Sequence, residues 1–115
     1  MPKEYPRSVR VADNIARVLA PLIQQGLHDP RIGNWVTITH VKCAPNLSWA
    51  RVYYSVVDGD AKEIQKGLEA AQGFLRKSLA NKLTIRRVPQ LSFALDEHLE
   101  KVLHLEKMIH ESVRL

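Results

Sequence analysis

The stretch AKEIQKGLEAAQGFLRKSLANK (61–82), with LTIRRVPQLSFALD (83–96) behind it, decides the fold. Ile64, Leu68, Ala71, Leu75 and Leu79 recur at intervals of three and four, the apolar stripe of an amphipathic helix, with Phe74 beside it. Asp60 closes the DGD turn at 58–60 and supplies an N-cap. Gly67 and Gly73 both fall inside the helical run, and a glycine there costs about 0.8–1 kcal/mol relative to alanine. The triplet Ala71–Gln72–Gly73 therefore reads as a break between two half-helices. Beyond it, Leu91, Phe93 and Leu95 alternate with Gln90, Ser92 and Ala94, the period of a strand with one buried face.

Upstream, residues 7–27 place Val11, Ile15, Val18, Leu19, Leu22 and Ile23 at helical spacing. Ser8 is the candidate N-cap, Pro21 predicts a kink, and Gly26 with Pro30 ends the helix. WVTITHVKC (35–43) is β-branched, and its inward parity changes from Val36 and Ile38 to Val41 and Cys43, which predicts a bulge near Thr39–His40. After a turn at APN (44–46), LSWARVYYSVV (47–57) sets Ala50, Val52, Tyr54 and Val56 on one face and Trp49, Arg51, Tyr53 and Ser55 on the other. The two runs read as an antiparallel hairpin with one buried side. Downstream, EHLEKVLHLEKMIHESVRL (97–115) is helical in pattern, with Leu99, Val102, Leu103, Ile109 and Val113 on a stripe. The economical solution is a single α+β domain over 1–115, a three-stranded sheet with helices on one face. Trp35, Phe74 and Phe93 are expected in the core or at its rim.

With 115 residues, 45% hydrophobic and 25% charged, the chain has an ordinary globular composition. Its net charge of +5 is uneven. Segments 1–31 and 35–57 carry +2 each, and 58–75 and 88–115 carry −2 each, so they cancel; RKSLANKLTIRR (76–87) holds +5 with no acidic residue. Such a block is the electrostatic footprint of a phosphate-binding surface. Cations complementing a helix C-terminus are the plainer alternative.

Other chemistries find little support. A single cysteine, Cys43, excludes an internal disulfide framework and a multi-cysteine zinc site, and suits a reducing cytosol. No apolar h-region or 18-residue apolar run is present, so neither a signal peptide nor a membrane span is expected. His98, His104 and His110 are six residues apart. Each is turned about 240° from the last on a helix, so they do not converge on a metal. Cys43 alternates like a small core residue, and no Gly-rich phosphate loop occurs. No catalytic residue, metal or cofactor is assigned. An acylphosphatase-like enzyme would begin with a strand and an anion loop, whereas this chain begins with a helix.

Five stretches, in order, carry a family resemblance: RVADNIARVLAPLI in the first helix, DPRIG with VTITHV (29–41), LSWARVYYSV (47–56), AAQGFLRKSLA (70–80) and LTIRRVPQLSFALD (83–96). Across nearly its whole length the chain resembles the ribosome-binding factor A family. The resemblance implies a KH-like fold of type II topology without the GxxG loop, with an Ala-x-Gly kink at Ala71 and Gly73 in its place. It implies a cytoplasmic, monomeric, non-enzymatic assembly factor of the bacterial 30S subunit. Such a factor binds the immature free subunit and its 16S rRNA near the decoding region. It assists late maturation, including 5′-end processing of the precursor, notably in the cold, alongside a late-acting GTPase. Pro21 departs from the continuous first helix the family prefers, and the long charged tail of many members is missing. A protein-interaction adaptor working through the C-terminal amphipathic helix is the alternative function.

On this reading the first candidates for RNA contact are Arg76, Lys77, Lys82, Arg86 and Arg87, a helix end and loop that can present cations along a phosphate track. Arg7 and Arg10 at the start of the first helix, Lys3 and Arg31 form a second group. Arg31 has an alternative role, holding its loop through Asp29, and Arg86 or Arg87 can pair with Asp96 or Glu97. In an extended segment only one of Arg86 and Arg87 points a given way. Trp49 and Tyr53, with Arg51 between them, either stack bases or cover the sheet.

Overall fold

The apolar stripes of the helical segments and the inward positions of three strands meet in one layer of buried side chains. The computed structural model describes residues 6–33, 35–98 and 105–109. Its elements are α1 (Arg7–Gln24), a 3-10 turn (Gly26–His28), β1 (Val36–Cys43), β2 (Trp49–Val56), α2 (Ala61–Ala70), α3 (Gln72–Lys82) and β3 (Gln90–Leu95). Residues 97–98 and 105–109 are also helical. Of the C-terminal stripe, Leu99, Val102, Leu103 and Val113 lie outside the described residues, while Ile109 is exposed.

Helix α1 starts differently from expectation. Pro6 is its N-cap residue, no side chain caps it, and the amides of Val9 and Arg10 donate to the Pro6 carbonyl at 3.0 and 3.2 Å. Ser8 therefore lies inside the first turn. Pro21 is accommodated within the helix. The helix ends at Gln24, short of residue 27, because Gly26, Leu27 and His28 all take positive φ (84°, 54° and 57°).

The sheet order is β1-β2-β3. β1 and β2 pair antiparallel through the short 44–48 turn, while β2 and β3 run parallel, as a long helical crossover between them permits. The register slips between Ile38 and His40. That bulge moves the inward parity from Val36 to Cys43 and turns His40 to the outer face, opposite Tyr53. Ile15, Leu19, Val36, Ala50, Val52, Leu68, Leu75 and Leu79 are fully buried. Tyr54 is buried with them; its hydroxyl donates to Gln65 Oε1, and Gln65 Nε2 donates to the Phe93 carbonyl at 2.8 Å. Burial, with a smaller contribution from the Glu69 charge, pushes the Tyr54 phenol above its ordinary pKa and keeps it a donor.

The interhelical break falls at Ala71 (φ −85°, ψ 0°), between α2 and α3. Gly73 lies inside α3, with open space where a Cβ would project. Gly67 has a packing reason instead: a Cβ there would meet Ile32 Cγ1 at 3.0 Å and Asp29 Oδ2 at 3.2 Å, so glycine lets the DPRIG loop rest on α2. Asp60 caps α2, its Oδ1 accepting from the Lys62 amide at 2.9 Å. Asp60→Ala should cost about 1 kcal/mol, a drop of a few degrees in melting temperature by circular dichroism.

Two aromatic assignments need correction. Phe93 is buried, but Phe74 and Trp35 are 55% and 51% exposed. Phe74 sits about 100° around the helix from Leu75 and emerges beside Leu22, Leu27 and His28. Trp35 precedes β1, where its carbonyl accepts from the Val57 amide at 3.0 Å and its ring lies against Gly33.

Candidate nucleic-acid interface

Helix α3 stops at Lys82 because Leu83 turns extended (φ −112°, ψ 145°). The chain then crosses to β3 through 83–89, bending at Arg86–Arg87. Arg76 sets that path: its Nε donates to the Pro89 carbonyl at 3.2 Å and its Nη2 to the Val88 carbonyl at 3.0 Å. Its guanidinium is thus engaged in holding the loop.

The loop comes to rest beside the start of α1 and the β1–β2 turn. A cleft of about 280 Å³ is lined by Arg7, Asn46, Leu47, Ser48, Ile85, Arg86 and Arg87. An adjoining one of about 370 Å³ is lined by Arg7, Val11, Asn14, Lys82, Leu83, Thr84 and Ile85. Arg7 and Ile85 belong to both. Four exposed cations from three separate elements, Arg7, Lys82, Arg86 and Arg87, therefore surround one continuous depression, and among the described residues no acidic side chain lines it. Arg86 and Arg87 share a cleft because the backbone bends there, so strict alternation does not apply. Among the described residues no ion pair reaches either of them.

The other candidates are dispersed. Arg10 is exposed one turn along α1 from Arg7, and Arg17, two turns further, continues that side. Lys77 is exposed but turned about 140° around α3 from Lys82. Lys3 lies outside the described residues. Arg31 closes on Asp29: Nη2 to Oδ2 is 2.7 Å, Nε reaches Oδ1 and Oδ2 at 3.1 and 3.2 Å, and the Arg31 amide donates to Oδ1 at 2.9 Å. Asn46 and Ser48 of the β1–β2 turn also border the site, without a charge or binding motif that marks them in the sequence. Asn46 Oδ1 accepts from the Ser48 amide at 3.1 Å and its hydroxyl at 2.7 Å, fixing a turn in which Leu47 has φ 61°. The APN turn was the available signal, but not its neighbours.

These Arg31 hydrogen bonds hold the Asp29 carboxyl below its ordinary pKa. A carboxylate whose pKa is depressed on folding stabilises the fold above its unfolded value, and that contribution disappears as pH falls through the folded one. Urea midpoints of the wild type and Asp29→Asn should accordingly differ at pH 6 and converge toward pH 3.

Cys43 is buried, and burial raises its thiol pKa, so it is a poor nucleophile. Among the described residues no three His, Cys, Asp or Glu side chains converge as metal ligands. No described helix is long and apolar enough to cross a membrane.

The α–β–β–α–α–β order, with its helical break at Ala71 and no GxxG, defines a KH-like α+β domain of the variant type, and a basic depression is built at one end of its sheet. The family model described as ribosome-binding factor A matches residues 7–109. Ribosome-binding factor A of Methylobacillus flagellatus is 44% identical over 113 residues, covering 98% of this chain and 90% of the relative. That of Nitrosomonas europaea is 44% identical over 115 residues, covering 98% and 97%. The crystal structure of ribosome-binding factor A from Thermus thermophilus superposes with a TM-score of 0.70 at 27% identity, covering 76% of this chain and 93% of that one. A homology model of the Thermus factor, fitted into a cryo-EM map of a 30S–RbfA complex, gives 0.64 at 27% identity, covering 76% and 92%. The chain belongs to the ribosome-binding factor A family.

Proposed function

We propose that this protein is a non-enzymatic assembly factor that binds the free, immature 30S subunit through 16S rRNA. The depression ringed by Arg7, Lys82, Arg86 and Arg87 carries this reading, because four cations with no acidic side chain among the described lining residues fit a phosphate backbone. The fitted Thermus complex supports the choice of subunit. Arg10 and Lys77 are further exposed cations that would meet RNA, together with Lys3, which lies outside the described residues; Arg31 is engaged by Asp29, and Arg76 holds the 83–89 loop that borders the depression. The whole chain acts as one KH-like unit, with the interhelical break at Ala71, followed by Gly73 in the first turn of α3, standing where a GxxG loop would clamp RNA. In the cytoplasm it works as a monomer late in maturation, when the 5′ end of the 16S precursor is processed, in step with an assembly GTPase and most needed in the cold.

Sedimentation through a sucrose gradient tests the binding step. The protein should travel with free 30S subunits and be absent from translating ribosomes. Failure to associate with 30S at moderate salt would refute it.

A further inference from the structure

The outer face of the sheet, turned away from α1, α2 and α3, carries chemistry that the basic depression does not use. Along β2, Trp49, Arg51 and Tyr53 project outward at two-residue steps, about 7 Å apart. Trp49 is 41% exposed, and the Arg51 guanidinium carbon lies 5.9 Å from the centre of its ring. Lys42 on β1 pairs with Arg51 in register, and Gln90 and Ser92 on β3 stand beside Trp49 and Arg51. Further along, the bulge brings His40 against Tyr53, with ring centroids 4.3 Å apart and planes within 10°.

Among the described residues, acidic groups border this face at one end. Asp96 accepts from the Thr39 hydroxyl at 2.7 Å and stands 3.6 Å from His40 Nδ1, and Glu97 and His98 border the same hollow. The face is thus graded. Cations and an open indole occupy the Lys42–Arg51–Trp49 end, flat rings lie along its middle, and carboxylates at the far end repel phosphate.

We propose that this face is a second RNA surface, which takes an unstructured single strand by stacking bases on Trp49 and the Tyr53–His40 pair while Lys42 and Arg51 neutralise its backbone. Base stacking on aromatic rings is sequence-tolerant, and a π-face flanked by cations is the pattern that single-strand binders use. The paired ring fixes Tyr53 in advance, so little side-chain freedom remains to be lost on contact. The proposal rests on the RNA-binding reading above only for the class of ligand; it uses different residues and a different face.

Replacing Trp35 with Phe leaves Trp49 as the sole indole, and the probes are ten-nucleotide oligoadenylate and oligouridylate at low salt. Oligonucleotide should quench Trp49 saturably, Tyr53→Leu should weaken binding about tenfold, and Tyr53→Phe should retain it. Trp49→Leu, followed by anisotropy of a labelled oligonucleotide, should lose affinity to a similar degree. Arg86→Glu with Arg87→Glu should leave the quench intact while impairing 30S co-sedimentation, which keeps the two surfaces separable. Absence of a quench, whatever covers the face, would overturn the proposal. So would a quench that survives Tyr53→Leu or disappears only in the Arg86/Arg87 variant.

Discussion

Changing Lys82, Arg86 and Arg87 together to Glu is expected to lower affinity for free 30S subunits by about 100-fold or more at low salt, with the far-ultraviolet spectrum and melting temperature unchanged. The three side chains are exposed and hold no ion pair among the described residues; Arg86 and Arg87 border one of the two adjoining clefts and Lys82 the other. Each phosphate contact contributes about 0.7–0.9 to the slope of log affinity against log salt, so losing three should flatten it by about 2–3. Arg76→Glu should behave differently. Its guanidinium caps the Val88 and Pro89 carbonyls, so its loss should show first in stability. A wild-type salt slope in the triple variant would clear Lys82, Arg86 and Arg87 of RNA contact.

Gly26→Ala should be the most damaging small substitution away from the clefts. Gly26 has φ 84°, and a Cβ there would stand 2.6 Å from the Gly33 carbonyl oxygen, a backbone atom that cannot swing aside. Left-handed backbone alone costs an L-residue about 1–2 kcal/mol, and displacing the 26–33 loop adds to it. We expect a loss of about 2–3 kcal/mol, seen as a melting temperature lower by about 10–15 °C. Gly73→Ala, where the Cβ would enter open space, should instead be neutral or slightly stabilising.

These two cases show what could be read from the sequence and what could not. Period-four apolar spacing in α2 and α3, alternation in β2 and the parity change in β1 are local patterns, and each reappears as an element or a bulge. The Arg31–Asp29 lock was legible because its partners are two residues apart. Arg76 was not, since the carbonyls it caps return to it only after the 83–89 loop has folded back. The site suffered the same limitation. Lys82, Arg86 and Arg87 stood out as a run of charge, but their meeting with Arg7 and the Asn46 turn is a tertiary event. Phe74 and Trp35, expected in the core or at its rim, are more than half exposed. One position off the stripe, or one residue before the strand, was enough to expose them.

Tethered hydroxyl-radical probing on free 30S subunits tests the central claim most directly. Cys43 is the only native cysteine and is buried, so in a Cys43→Ala background an iron chelate can be attached to Cys at position 82 or at position 58. Position 82 borders one of the two adjoining basic clefts. Position 58 follows β2 at the end of the sheet away from the Asn46 turn, about 25 Å off by strand length. Strong 16S cleavage from position 82 and weak or no cleavage from position 58 is the predicted result. Equal cleavage from both, or cleavage from position 58 alone, would contradict the placement of RNA on the face formed by Arg7, Lys82, Arg86 and Arg87.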